Sequence, residues 1–372
     1  MQTGRGYLEI AVTGDLVLDE PDGAHWLSGI APVLRRADLA IGHLEVPHTD
    51  SQQELAGDVP APGAPLENLA AIKDAGFDMV TLAGNHIADC GAQGIADTIA
   101  GLDAVGLGHA GAGADLAAAR RAWIGQASGR RIAVLSYNCV GPEAAWAGTG
   151  KAGCAYLPVG TSDGSPVSPR APLESVQPGA LEPFLADIGA ARQQADIVIV
   201  ALHKGIVHTP ARLAPYEREI AQAAVDAGAD AVIAHHAHIV RGIEFHRGKP
   251  IFHGLGNGCV VTRALSPEQD HPARREWAER RKRMFGFEPD PAYFLAPFHP
   301  EAVNGMIGIL EVHADGTIGA RIEPVHVEPP GRPVLADPHR APQVLAYIRG
   351  ITLDAGLPAI SIDDSGRVAE AV

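Results

Sequence analysis

The chain has 372 residues, a formal net charge of −15, and 46% hydrophobic against 20% charged residues. That length supports one large core or two smaller ones, and the composition is that of a folded globular protein, not a disordered one. The negative charge excludes general binding to nucleic acid or to an anionic membrane surface, whose phosphates repel it.

The opening MQTGRGYLEIAVTGD lacks a basic segment followed by an apolar run and a cleavage site, so no secretory leader is expected and the chain is assigned to the cytoplasm. No stretch approaches the roughly 20 apolar residues of a membrane span. Strands are predicted at LEIAVTGD (8–15), DLAIGHLE (38–45), DMVTLAGN (78–85), RIAVLSYN (131–138), DIVIVALH (196–203), DAVIAHHAH (230–238) and PIFHGLGN (250–257). Their β-branched content and turn-rich flanks suit buried strands. Helical patterns at 66–76 and 216–228 both end on glycine. MIGILEVHADGTIGARIEPV (306–325) reads as a hairpin around Asp-Gly.

This is an α/β layout with a β-rich end. One catalytic domain is expected over 1–330, with insertions near 141–185 and 262–300 and a C-terminal extension at 331–372 packing on it. The stretch 155–183, rich in Pro, Ser and Gly, reads as a loop excursion. The charge run RREWAERRKRMFGF (274–287) reads as a solvated helix face or, in so acidic a protein, as a dock for an acidic or C-terminal carboxylate group. Four cysteines lie far apart with no CxxC pair, which suits reduced thiols.

The strand ends repeat one chemistry. Asp15, then His43 and Glu45, then Asn85 and His86, then His203, then His235, His236 and His238 all fall where a strand should finish. Ligands collect at the carboxyl ends of strands in open α/β sheets, and a mixed carboxylate, imidazole and amide set suits Mn²⁺, Zn²⁺ or Fe. His236 and His238 share one face if that backbone is extended. Each residue alone also reads as a cap, a turn residue or a hydrogen-bonded histidine; the recurrence on successive strands favours a metal site.

With these residues in place, the sequence resembles the poly-γ-glutamate capsule-biosynthesis family of the CapA/PgsA type, which is related in fold to the calcineurin-like metallophosphoesterases. The matching pieces are TGDLVL (13–18), GHLEVPHT (42–49), LAGNHIADCG (82–91), VALHKG (200–205) and DAGADAVIAHHAHIVRGIEFHRGKPIFHGLGN (226–257). The resemblance implies a layered α/β/β/α sandwich of the metallo-dependent phosphatase type. It implies one or two divalent ions (Mn, Zn, Ca or Fe) held by Asp15, Glu45, Asn85, His203, His236 and His238, with His86 as the general acid. The pattern departs from the family where Val17 leaves no Asp-x-His opening, where Lys204 replaces a Trp, and where Ala234 and Ala237 replace a Gly and a Pro.

Three reactions compete, beside a binding-only protein. Phosphoester hydrolysis needs cations for phosphate, and only Lys204 and Arg241 lie near these motifs. Capsule-polymer synthesis or export goes with an anchor or export signal. Epimerisation of a residue in a ribosomally made peptide needs a metal and acid/base groups at an α-carbon, and the resemblance extends to soluble lasso-peptide epimerases of this type. On that preferred reading His86 and Asp89 serve one face of the carbon, and His203, His208, His235 or Cys90 the other. The partner is then a peptide, bound by its C-terminal segment in a groove supplied by the two insertions.

Overall fold

A computed structural model describes residues 6–56, 61–169, 171–266 and 269–371. Met1–Arg5, the start of the segment in which no leader is expected, lie outside the described residues. Two sheets dominate. The larger runs in the order Ile360–Ile362, Arg367–Glu370, Ile318–Glu328, Asn304–His313, Tyr7–Leu18, Leu39–Leu44, Met79–Thr81 and Gly108–Ala110. The smaller runs Ile243–His246, Lys249–Phe252, Ala231–His235, Ile197–His203, Arg130–Asn138 and Trp123–Ala127.

Side-chain alternation shows how they stack. In the Ile197–His203 strand, Ile197, Ile199 and Ala201 join one core with Ile10, Val12 and Leu310 of the other sheet, while Val198, Val200 and Leu202 join another with helices. A strand apolar on both faces must be covered on both. The outer covers are Asn68–Ala75 and Gly91–Val105 on the larger sheet, and Leu181–Arg192 and Pro215–Asp226 on the smaller. The result is the α/β/β/α sandwich expected from the sequence.

The predicted strands and helices form with shifts of a few residues at their ends, and the hairpin forms as Asn304–His313 with Ile318–Glu328. PIFHGLGN is corrected: it is two strands, not one. Lys249–Phe252 belongs to the smaller sheet, whereas Asn257–Val261 pairs with Tyr7–Leu18 in the larger one. Gly254 and Gly256 sit in the crossing, where a side chain is crowded: a Cβ on Gly254 would stand 2.7 Å from Arg241 Cγ, and Gly256 has a left-handed φ of 71°. The expected loop at 155–183 contains a small ladder, Val159–Thr161 with Leu173–Val176. After residue 331, Arg332–Leu335 and Arg367–Glu370 pair with Ile318–Glu328, and the helix Ala341–Asp354 buries Val344 and Ile348 in the inter-sheet core.

Candidate metal centre

The carboxyl ends of both sheets meet at one place. Asp15 stands level with His43 across one ladder and with Asn257 across the other, next to a bulge at Thr13-Gly14. On the smaller sheet His203 is level with His235. Two groups of ligand atoms lie close enough to share an ion: Asp15 with His43 and His203, and Asp15 with Glu45 and His238. Asp15 belongs to both groups and would be shared if each held an ion.

Backbone conformation brings the last histidines in. The smaller-sheet strand stops at His235, and His236 and His238 adopt φ of 93° and 55°. The expectation of an extended His236-Ala237-His238 sharing one face is therefore corrected. The left-handed kinks send His236 to His203, Nδ1 to Nε2 at 3.1 Å, and His238 toward Asp15 and Glu45 at 3.6 and 3.5 Å. Positive φ on residues with a Cβ costs energy that the surroundings must offset, and such strain gathers at functional sites. The His236 N–H meets both Asp15 oxygens at 3.3–3.4 Å, and His238 Nδ1 lies 2.9 Å from Asn257 Oδ1.

The hydrogen bonds stop short of satisfying this cluster. His43 Nδ1 meets Thr81 Oγ1 at 2.9 Å and His203 Nε2 meets Asn85 Oδ1 at 2.6 Å. His43 Nε2, His203 Nδ1, His236 Nε2 and both Glu45 oxygens are buried with no hydrogen-bond partner. Buried polar atoms left so are costly, and these are the donor types a divalent cation takes. Burial holds His43, His203 and His236 well below the ordinary histidine range, hence neutral as ligands must be, and lifts Asp15 well above the carboxylate range, with Glu45 adding to it. Gly84 leaves the space they need, since a Cβ there would stand 2.9 Å from His43 Nε2. The residues fit a metal centre.

A cavity of about 80 Å³ opens beside Glu45 and His238, lined also by His86, Arg274, Trp277 and Phe298. His86 Nδ1 lies 2.5 Å from Asp89 Oδ2; the His86 side chain is 23% exposed and the carboxylate fully buried. The other expected acid/base groups are elsewhere. His235 is stacked on His43 at 4.5 Å and directs Nε2 to the Thr13 carbonyl at 3.1 Å. Cys90 caps the Gly91–Val105 helix in the core, its thiol pushed up to about 11 by burial. Neither these two nor His203 or His208 lines the cavity.

Sequence reasoning left His43 out of the ligand set, although it was among the strand-end groups, and did not place Asn257, the last residue of the quoted motif, against His238. The helix Pro272–Phe285, expected as a solvated face or a carboxylate dock, carries Arg274 and Trp277 into the lining. None of the described residues of the other insertion, 141–185, does so. Lys204 and Arg241, the cations weighed for phosphate, are spent internally. Lys204 pairs with buried Glu217 at 2.8 Å, and Arg241 donates to the Arg212 and Ile206 carbonyls.

A two-sheet sandwich with a carboxylate–imidazole cluster at its strand ends defines an α/β protein built around a candidate metal centre. Residues 9–260 match the family "Bacterial capsule synthesis protein PGA_cap", and the chain belongs to it. Among similar proteins, the capsule biosynthesis protein CapA of Bacillus anthracis is 28% identical over 61% of this chain and 52% of its own length. The PGA biosynthesis protein CapA of Bacillus subtilis is 30% identical over 61% and 54%. A probable polyglutamine synthesis accessory protein of Mycobacterium tuberculosis is 34% identical over 51% and 47%. The chain thus spans about half the length of the curated relatives it matches. Among solved structures, the calcineurin-like phosphoesterase YfkN of Bacillus subtilis aligns over 94% of this chain and 98% of its own, at 12% identity and a TM-score of 0.38. Among the described residues no helix is long and apolar enough to cross a membrane.

Proposed function

We propose that the chain is a metal-dependent acid/base enzyme acting on a peptide, and that it epimerises one residue by removing and returning the proton of an α-carbon. The observation that carries this reading is the shared cavity: His86, backed by Asp89, faces the same space as Glu45, His238 and Arg274. Asp15, His43, Glu45, Asn85, His203, His236 and His238 would hold the metal, which when bound supplies Lewis acidity toward a carbonyl or carboxylate oxygen; so imidazole-rich a set favours Mn²⁺, Zn²⁺ or Fe over Ca²⁺. His86 removes the proton from one face while Asp89 holds its ring in one orientation, and a solvent proton reaches the carbon on the opposite face. Arg274 binds a carboxylate of the substrate's C-terminal segment, and Trp277 and Phe298 give the cavity an apolar wall. Relatives named for PGA biosynthesis and polyglutamine synthesis support a substrate joined by amide bonds. A cytoplasmic site of action belongs to the same proposal.

A second reading, metal-dependent hydrolysis, draws on one feature. Among the described residues His86 is the single histidine of the lining outside the ligand set. A leaving group needs one acid, whereas inversion at carbon needs a proton delivered to the opposite face.

One experiment separates them. Metal-loaded protein is incubated with a candidate peptide or a phosphoester in D₂O. Epimerisation gives one-dalton uptake at an α-carbon and a change of configuration without cleavage. Fragments or released phosphate establish hydrolysis instead, and inertness of the metal-loaded protein across peptides and phosphoesters sinks both.

A further inference from the structure

Phe298 and Val260 form a wall with a cavity on each side. One side is the small space over Glu45 and His238; the other is a cavity of about 290 Å³. Asn257 lines this second cavity while holding His238 Nδ1 at 2.9 Å, and Phe298 lies against the His238 ring, centroids 4.7 Å apart. Ala296, Pro300, Ala302 and Val327 give it apolar sides.

Arg340 stands in this apolar lining. Its guanidinium donates to two neutral oxygens, Asn304 Oδ1 at 3.1 Å and Gln343 Oε1 at 2.8 Å. Its Nε is buried without a hydrogen-bond partner. The carboxylate in the lining, Asp290, is turned to the Ala292 N–H at 2.9 Å. His299 accepts the Glu301 N–H at 3.2 Å and His326 meets the Val303 carbonyl at 3.2 Å. Burial keeps both imidazoles below the ordinary histidine range, so Arg340 is the permanent cation of the lining. A forked guanidinium beside an apolar wall matches a carboxylate with an apolar body. The volume is that of a small-molecule site.

We propose that this cavity binds a small organic carboxylate, its charge on Arg340 and its apolar body against Phe298, Ala302 and Val327, and that occupancy alters metal binding at His238 through Asn257 and Phe298. The carboxylate belongs to a free acid or to the end of a peptide. Linkage makes the effect reciprocal: if the acid shifts metal affinity, the metal shifts affinity for the acid by the same factor.

The test is calorimetric titration of the full chain with benzoate and with N-acetylglycyl-phenylalanine, each beside its neutral amide. Mn²⁺ titrations follow, with and without saturating benzoate. Saturable binding of one acid per chain is expected, at least tenfold tighter than its amide, with the Mn²⁺ Kd changing at least threefold. Arg340→Gln should weaken the acid tenfold or more. If that variant does not unfold cooperatively, Ala302→Leu, which narrows the cavity and leaves Arg340 in place, should do the same. Tighter binding of the peptide acid assigns the site to a chain end, and tighter benzoate to a free acid. Equal binding of acid and amide, no binding of either, or wild-type affinity in the folded variants overturns the site. An unchanged Mn²⁺ Kd overturns the coupling.

Discussion

His86 Nδ1 stands 2.5 Å from Asp89 Oδ2, and that carboxylate also accepts the Ala61 N–H at 2.5 Å. One buried acid therefore ties the proton carrier to the segment across the cavity. His86→Ala should lower turnover by about 10²–10⁴-fold, the usual share of a positioned acid/base group, while bound metal stays near the wild-type amount. Asp89→Asn keeps the shape but not the charge, and should lower kcat more than it raises KM. Metal lost from His86→Ala with turnover intact would reverse the roles.

Because Asp15 belongs to both ligand groups and Glu45 and His43 to one each, substitutions should differ in stoichiometry. Elemental analysis of metal-loaded protein should find Glu45→Gln or His43→Ala short of one ion and Asp15→Asn short of both. Each ion should stabilise the fold by about 2.7 kcal/mol at a free concentration of 100 times its Kd. A chelator should then lower Tm in the wild type and leave Asp15→Asn unmoved.

Lys204 and Glu217 form an ion pair with side chains 0% and 1% exposed. Lys204 holds Glu217 below the usual carboxylate range against the burial that would raise it. Removing one partner strands the other, so Lys204→Met should destabilise the protein by about 3–5 kcal/mol. Replacing both, as Lys204→Met with Glu217→Leu, should recover most of that loss. Denaturant unfolding of the three variants measures it.

His48 is buried, its Nδ1 donating to the Pro65 carbonyl at 2.7 Å, and burial pushes its pKa down to about 4. The unfolded chain, with an ordinary histidine near 6.5, takes the proton first as pH falls. The stability His48 contributes as a neutral group is present above pH 6.5 and lost as pH drops toward 4, by up to about 1.4 kcal/mol per pH unit. His48→Asn should flatten the dependence of unfolding free energy on pH over that window, measured in chelator so that metal loss does not enter. An unaltered slope would mean that His48 is protonated in the folded state.

The parallel strands were legible because both faces are buried, which writes them as continuous apolar runs ending on polar residues. Asp15, Glu45, His203 and His238 could be read as a set for that reason. What could not be read depends on backbone conformation and on distant packing. His236 and His238 look extended until their left-handed φ is seen, and PIFHGLGN is one apolar run although Gly256 carries it from one sheet to the other. Arg274 belongs to a charge run whose period says helix and says nothing of what the helix covers. His235 and Cys90 have the chemistry of acid/base groups, but only their hydrogen bonding and burial show that they do not face the cavity.

The distance along the chain between the cluster's members has a consequence for synthesis. His236 donates to Asp15 from 221 residues away, and Asn257 steadies His238 from the far end of the crossing. A nascent chain that has exposed only its first half offers Asp15, Glu45 and Asn85 with none of the second-half histidines. Domains made of such remote pairings close late, so an ion would enter a nearly finished molecule, and retained metal would record that both sheets were completed and brought together.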